Sequence, residues 1–520
     1  MYTLGDIPRN AAIHYPDRIA VVFEGARYTY REFNVRINRF ANALVALGCK
    51  KGGRLTIMAD NCSKYLEAYF AAAKLGMSVT PLNIRLSDDE IVFIVNDSEA
   101  SLLVVGDGYE EKVQSIRPKL KYITTWISFD KPVDGFLDYD ALLEKASHDE
   151  PDLDLYDVQE DDLTILMYTG GTTGLPKGVM LSHRNTMLAG TMAALSMNLN
   201  RDDSTCYVLP IFHVSWWPIL AVMNVCGKVC INRKPNLDTI FHLIQDEKCT
   251  HMNLVPTIYG WMVDYPNIEK YDLSSLRILS YAGSPFPTEV LIRCIKRFGN
   301  IFGQGYGSTE TAGAPVTMLS WDDHYLDGPK ARYLTSAGKA APCSRVKVVD
   351  ENDNPVPTGE VGEICVKGKH VMLGYWKNPE LTAEVLRGGW LHMGDMGYMD
   401  EEGYVYMTDR KADMIISGGE NVYPKEVEDV IYAHPAVKEC SVVSSPSEEW
   451  GEIVHAVVVL RPGRSATDNE IIEHCKKTLA GYKCPKAVSF WDDLPKTIIG
   501  KIMKKEIKQK FWEGKERMIS

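Results

Sequence analysis

No stretch of the 520-residue chain stays apolar for the ~20 residues that a bilayer-spanning helix needs. The longest apolar run, Trp216 to Val225, soon gives way to Gly227-Lys228, so no integral membrane segment is expected. The first ten residues carry Asp6, Pro8 and Arg9 where a secretory signal would need an apolar stretch, and a cytoplasmic location is expected. The 12 cysteines include no paired Cys-x-x-Cys units, and Cys226 and Cys230 lack the matching ligands of a zinc site. They read as reduced thiols, mostly in cores. Positive charge is in deficit, with 57 Lys and Arg against 69 Asp and Glu for a net −12. Such a surface repels polyphosphate except where basic residues cluster, so nucleic acid is not an expected partner. Internal repeats and low-complexity linkers are absent. What remains is an ordinary globular composition, 45% hydrophobic and 24% charged, with material for more than one core.

The first 150 residues alternate helical and strand patterns: Arg31 to Leu47 and Tyr65 to Leu75 at helical spacing, Leu55 to Met58 as a short strand. The alternation continues past residue 300, through strands expected at Leu163 to Tyr168, Ser204 to Pro210 and Leu276 to Ser280, which predicts an α/β fold. After Gly338 the texture changes to short strands and turns, Arg345 to Val349 and Gly362 to Lys367 among them. From about Asp409 a last unit begins, with helices over Pro424 to Ala433 and Asp468 to Ala480 and strands over Glu439 to Ser444 and Val454 to Leu460. A boundary near Asp409 to Asp413 separates this α+β unit, which is long enough to hold its own core.

The strongest local signal is Tyr168-Thr-Gly-Gly-Thr-Thr-Gly-Leu-Pro-Lys-Gly178, set between two apolar strands. Its glycines let backbone N–H groups converge on an anion, its hydroxyls donate further hydrogen bonds, and Lys177 supplies charge. The loop predicts a phosphate cradle. It is not a Walker A loop, because Lys177 stands between Pro176 and Gly178 rather than before a Ser or Thr that opens a helix.

Four further motifs follow: Gly303-Gln-Gly-Tyr-Gly-Ser-Thr-Glu310, Gly389-Trp-Leu-His-Met-Gly-Asp395, Asp409 through Pro424 with its Gly418-Gly419 pair, and Pro495-Lys-Thr-Ile-Ile-Gly-Lys501. With the loop, and in this order, they make nearly the whole chain resemble the adenylate-forming enzymes. That superfamily includes acyl-CoA synthetases, 4-coumarate–CoA ligase, firefly luciferase and peptide-synthetase adenylation domains, and the acyl-CoA synthetases are the nearest in pattern. The resemblance implies a large N-terminal ATP- and acyl-binding domain, residues 1–409, of two βαβ-type sheets plus a β-barrel subdomain. It implies a small mobile α+β lid domain over 410–520.

Site roles come from the same resemblance. Thr169, Gly170, Gly171, Thr172, Thr173 and Lys177 would hold the outer phosphates of ATP, and Glu310 would hold a Mg²⁺ ion bridging phosphate oxygens. Thr309 would donate to the α-phosphate. Tyr306 would offer adenine an aromatic face, with Gly283 and Ser284 on the other side of the base; Asp395 would accept the ribose hydroxyls, with Arg410 beside it. Lys501 would stand where negative charge builds on the α-phosphate during adenylation. Gly418 and Gly419 would line the pantetheine path of the co-substrate CoA, and Ala412 occupies the hinge, where Asp or Lys is usual. Met393 replaces a usual Thr beside Asp395. Taken singly, each residue also has a plain structural reading: Glu310 and Asp395 as surface acids, Tyr306 as core, Lys501 as one of several solvated lysines.

The acyl pocket is expected around His213, Ser215, Gly305 and Gly307. Phe212-His213-Val214-Ser215 lacks the Asp with which peptide-forming relatives pair a substrate ammonium, and an unpaired buried ammonium is costly. Acetate-specific relatives carry Trp where Gly307 stands, so a deeper pocket is expected, for a monocarboxylic acid larger than propionate: medium-chain, alicyclic or aryl. The sequence thus predicts an ATP-dependent acyl-CoA synthetase. Transfer to a carrier protein or into an oxidative step, and a non-catalytic ligand-binding relative, are the competing readings, the last disfavoured by the full set of Lys177, Glu310, Asp395, Arg410 and Lys501. The sequence leaves oligomeric state open.

Overall fold

A computed structural model describes residues 3–169, 176–284, 286–410, 413–417, 420–447, 451–497 and 500–513, with positions 153, 154, 409, 410, 420, 421 and 451 described for backbone alone. Helices start where the sequence caps them. Thr29 Oγ1 accepts a hydrogen bond from Glu32 N at 3.2 Å, and the Glu32 carboxylate accepts from Thr29 N at 2.8 Å; this reciprocal box opens the helix Tyr30–Ala46. Its buried residues Phe33, Ile37, Phe40, Ala41 and Leu44 recur every three or four positions, which gives one apolar stripe to bury. The central strands are instead apolar on both faces: Leu102–Val105 is buried at every position, as parallel strands covered by helices require.

Two large mixed sheets result, of eight and nine strands. In the nine-stranded sheet, Ser204–Tyr207 is followed in sequence by Lys228–Ile231 on one side and then by His251–Leu254 on the other. Strand order therefore reverses at Ser204–Tyr207, and ligands of open α/β sheets bind beyond the carboxyl ends of the strands at such a reversal. Only one registered pair, Thr205 opposite His251, joins the two strands that flank the reversal.

The β-rich segment is a four-stranded antiparallel sheet of Arg345–Val349, Gly362–Lys367, Leu391–Met399 and Val405–Arg410. It closes over Val316, Val348, Ile364, Val366 and Val405. The last unit has a separate core that includes Ile415, Val427, Ile431, Val442 and Val458. Several expected elements differ in extent; the strand predicted over Ser204–Pro210 spans Ser204–Tyr207, and that over Glu439–Ser444 spans Val437–Ser447. The helix predicted over Asp468–Ala480 spans Asp468–Lys476, its chain leaving the helix ahead of Gly481 and Pro485. The strand predicted from Val454 begins at Gly451, because Glu452 and His455 are buried polar residues that break the apolar pattern while the ladder continues to Ser447. All 12 cysteines are free, and no helix among the described residues is long and apolar enough to cross a membrane.

Candidate active site

Four neighbouring strands of the nine-stranded sheet end at one edge and lead into a large share of the predicted site. Beyond Ser204–Tyr207 comes the turn to His213; beyond His251–Leu254, Val255 to Thr257; beyond Ile278–Tyr281, Gly283 and Ser284; beyond Phe302–Tyr306, Thr309 and Glu310. Gly283 sits at φ +85°, a left-handed conformation that a side chain would disfavour.

The turn to His213 is held from the other sheet. Asn61, buried at the end of the strand Arg54–Met58, donates to the carbonyls of Leu209 at 2.9 Å and Asn232 at 3.1 Å. Its Oδ1 accepts from Ile211 N at 2.8 Å. Nothing in the sequence singled out Asn61; only the close approach of two sheets reveals it. His213 Nδ1 accepts from Ser215 N at 3.2 Å, which leaves its proton on Nε2. Burial, with the nearby Lys501 charge adding to it, pushes the imidazole down to about 4, so the ring is neutral near pH 7. The two tryptophans that follow are core residues: Trp216 stacks on Tyr69 at 4.5 Å between centroids, and Trp217 packs against Gly313.

Gly307 lies against the turn that follows it. A Cβ there would stand 2.3 Å from the Ala314 carbonyl oxygen and 3.1 Å from Thr311 Oγ1. The short turn Thr309–Thr311 is followed by left-handed Ala312 and Gly313, which folds the chain back onto Gly307. Gly305 has room instead, with ordinary contacts to Pro315 Cβ at 3.7 Å and Met318 Sδ at 4.0 Å.

Two aromatic–carboxylate pairs flank this edge. The Tyr306 hydroxyl donates to Asp395 Oδ2 at 2.7 Å, which links the residues expected at adenine and ribose. Asp395 is the register partner of Arg410 across two antiparallel strands; the Arg410 side chain lies outside the described residues. Met393 packs into apolar clusters, so at this position packing replaces a hydroxyl. In the second pair, Tyr375 donates to Glu310 Oε1 at 2.8 Å, and Lys177 Nζ lies 5.9 Å from the centroid of the same ring. Burial first, then the Glu310 charge, pushes the Tyr375 phenol far up, so it stays a donor. Tyr375 was not among the predicted residues; it reaches Glu310 because its strand pairs with Lys177–Ser182, Tyr375 opposite Val179.

Thr169 and Lys177 face each other in register at the two ends of the segment expected to cradle phosphates. Gly170, Gly171, Thr172 and Thr173 lie outside the described residues, as do Ala412, Gly418 and Gly419. No group of three or more His, Cys, Asp or Glu residues that could hold a metal occurs among the described residues. Glu310 is thus a single carboxylate donor, which fits Mg²⁺, an ion held by one or two carboxylates with substrate phosphates and water.

Lys501 rides on a tight hairpin. Lys496 bridges to Ile502, Thr497 N donates to Lys501 O at 2.7 Å, Gly500 N to Thr497 O at 2.9 Å, and Lys501 N to Thr497 Oγ1 at 3.1 Å. Gly500 takes φ +81°, which explains why Gly precedes the lysine. The hairpin reaches the strand-end edge near His213.

Strand ends that bring an aromatic–Asp pair and the Lys501 hairpin beside a strand-order reversal, with Thr169 and Lys177 on the second sheet, suit a ligase that activates acids with a nucleotide. Family comparison agrees. The AMP-binding enzyme family matches residues 8–376 and the AMP-binding enzyme C-terminal domain matches 426–501, so the chain belongs to the AMP-binding enzyme family. A feruloyl-CoA synthase of an Amycolatopsis species is 36% identical over 98% of this chain and 99% of its own. A fatty acid–acyl-carrier-protein ligase of Streptomyces coeruleorubidus is 34% identical over 98% and 96%. The solved structure of a Mycobacterium tuberculosis fatty acyl CoA synthetase superposes with a TM-score of 0.78 at 32% identity, covering 99% of each chain. The protein is an AMP-forming acid–CoA ligase that uses ATP and CoA.

Proposed function

We propose that this ligase activates a monocarboxylic acid larger than propionate, with an apolar medium-chain, alicyclic or aryl body, and transfers the acyl group to CoA. In the first step a carboxylate oxygen attacks the α-phosphorus of ATP and pyrophosphate leaves, giving acyl-AMP. In the second the CoA thiolate attacks the acyl carbonyl and AMP leaves. Lys501 offsets the charge that builds on the α-phosphate, where a preorganised cation is most effective. Thr309 donates to the same phosphate, while Thr169, Lys177 and the loop between them take the outer phosphates. Glu310, oriented by Tyr375, holds Mg²⁺, which when bound neutralises phosphate charge. Tyr306, Gly283 and Ser284 take the base, and Asp395 with Arg410 the ribose. Neutral His213, protonated on Nε2, offers a hydrogen bond at the carboxylate end without adding charge. Residues 410–520 act as the mobile unit, turning at Ala412 so that Gly418 and Gly419 border the pantetheine path.

The observation that carries this reading is the Lys501 hairpin seated beside His213 at the edge where Tyr306, Asp395 and Glu310 converge. The size of the acid rests on Gly305, whose open side gives onto Pro315 and Met318, and the choice against amino acids on the lack of an Asp within Phe212-His213-Val214-Ser215. Relatives named for an aryl acid and for fatty acids support an apolar body of either kind. The second reading, transfer to a carrier protein, is favoured by the Streptomyces ligase. One experiment separates them: acids graded from acetate to long chain and through aryl acids, with AMP release and free-thiol consumption followed together. AMP and thioester in equal amounts with acids beyond propionate support CoA as acceptor; AMP without thiol loss supports a carrier; preference for acetate overturns the proposed acid.

A further inference from the structure

We propose that Thr257 is a positioning residue for adenylation, the point at which the lid docks so that Lys501 is set for the first half-reaction. This rests on the reading that Lys501 serves adenylation. Thr257 follows Pro256 at the start of the helix Pro256–Val263, directly beyond a central strand of the nine-stranded sheet, so its backbone is fixed by the core. The hydroxyl does not cap its own helix. It donates to the carbonyl oxygen of Gly500, 243 positions away, at 2.9 Å.

Shape and chemistry agree on this contact. A Cβ at Gly500 would stand 3.3 Å from Thr257 Cβ and 3.5 Å from Val255 Cγ2. The approach is therefore close on the side where Gly500 lacks a side chain, and its φ of +81° requires that lack a second time. Because Lys501 is tied through both its N–H and its carbonyl to Thr497, the hairpin moves as a unit. Holding the Gly500 carbonyl holds the adjacent lysine. Thr257 itself does not touch the reacting atoms, and a lid turned for thioester formation leaves this contact behind. Thr257 thus favours one lid position, and its loss falls on one half-reaction.

The test uses the full-length enzyme with octanoate, or cinnamate where octanoate is not activated. Acyl-AMP formation without CoA is measured by pyrophosphate release, and thioester formation from synthetic acyl-AMP plus CoA is measured separately. Thr257→Val keeps the shape and removes one donor, so adenylation falls about 3- to 10-fold, the worth of one hydrogen bond. Thr257→Phe fills the space that Gly500 needs, so adenylation falls about 100-fold, as overpacking at a close contact predicts. Thr257→Ser restores the wild-type rate. The second half-reaction stays within about 2-fold in all three, a split that a general folding defect would not produce. Equal losses in both half-reactions, or an unchanged adenylation rate in both Thr257→Val and Thr257→Phe, overturn the assignment. A wild type that forms no acyl-AMP from any graded acid overturns the activity reading, and this assignment with it. An active wild type with unaffected variants overturns Thr257 alone.

Discussion

At the scale of single residues, the structure separates groups that the sequence can only list. Lys501→Ala is expected to slow acyl-AMP formation about 100- to 1,000-fold, the usual effect of removing one preorganised stabiliser of developing charge. Thioester formation from supplied acyl-AMP should persist, and equal loss in both assays would contradict a role at the α-phosphate. Tyr375 leads to a different expectation. Its hydroxyl is the donor that orients Glu310, and hydrogen bonds to charged groups are worth about 1.5–3 kcal/mol. Tyr375→Phe should therefore raise the Mg²⁺ concentration needed for half-maximal adenylation about 10-fold and weaken Mn²⁺ binding to the enzyme–ATP complex, followed by electron paramagnetic resonance. Unchanged metal dependence would leave Tyr375 as packing only. Substrate size is better probed at Gly305 than at Gly307. A Trp at Gly307 would drive its Cβ toward the Ala314 backbone and disturb the Glu310 turn as well as the pocket. A Cβ at Gly305 makes ordinary contacts with the Pro315 and Met318 side chains, so Gly305→Val should shorten the accepted acid series. The check is kcat/KM for straight-chain acids, with each excluded methylene costing about 1–3 kcal/mol. An unchanged length profile would remove Gly305 from the pocket wall.

At the scale of elements, what was legible depended on whether the cause was local. The strands Arg345–Val349 and Gly362–Lys367 were read to their end residues, because apolar alternation bounded by turn residues is written within each segment. The Pro495–Lys501 motif was legible as a motif, and its Gly and Thr are now explained by one hairpin whose turn needs positive φ and a threonine oxygen at its base. Asn61 and Tyr375 were not legible. Each acts across elements far apart in sequence, Asn61 on a turn nearly 150 positions away and Tyr375 on Glu310 65 positions away, and no local pattern marks such residues. The surroundings of Gly307 were not legible for the same reason: the direction of an absent side chain depends on how the following turn folds back. Asn61→Leu tests this kind of cross-element tie. It would strand the buried Ile211 N–H and the Leu209 carbonyl, at about 1–3 kcal/mol for each unmet group. A measurable fall in Tm with a rise in KM for the acid is expected, since the turn leads to His213; loss of stability alone would show that the turn keeps its shape without Asn61.

At the scale of the whole molecule, the buried histidines set how the protein meets acid. His183, His251, His324 and His370 are almost wholly buried, and burial pushes each imidazole down to about 4. Their hydrogen bonds suit the neutral ring. His183 Nδ1 accepts from Leu4 N at 3.1 Å. His324 lies between the Ser320 carbonyl at 2.7 Å and the Tyr281 hydroxyl at 3.1 Å, a pair that one neutral tautomer satisfies by donating from Nδ1 and accepting at Nε2. In the unfolded chain each ring regains a pKa near 6.5, so between pH 6.5 and 4 the unfolded state binds more protons than the folded one. Stability is therefore complete above about pH 6.5 and falls as pH drops through that window. Each ring forfeits about 3 kcal/mol by pH 4, and four together are comparable to the 5–15 kcal/mol that holds a typical domain folded. All four belong to the N-terminal 409 residues; in the last unit His455 is also buried and burial pushes it down to about 4, so the loss on acidification is not confined to the larger part. Thermal unfolding followed between pH 7.5 and 4 should show a transition whose Tm declines steeply below pH 6.5. His251→Gln, which keeps a polar group within reach of Ser280, should flatten that slope in proportion to the one proton it removes. A Tm that holds level down to pH 4.5 would mean that these rings do not resist protonation as their burial implies.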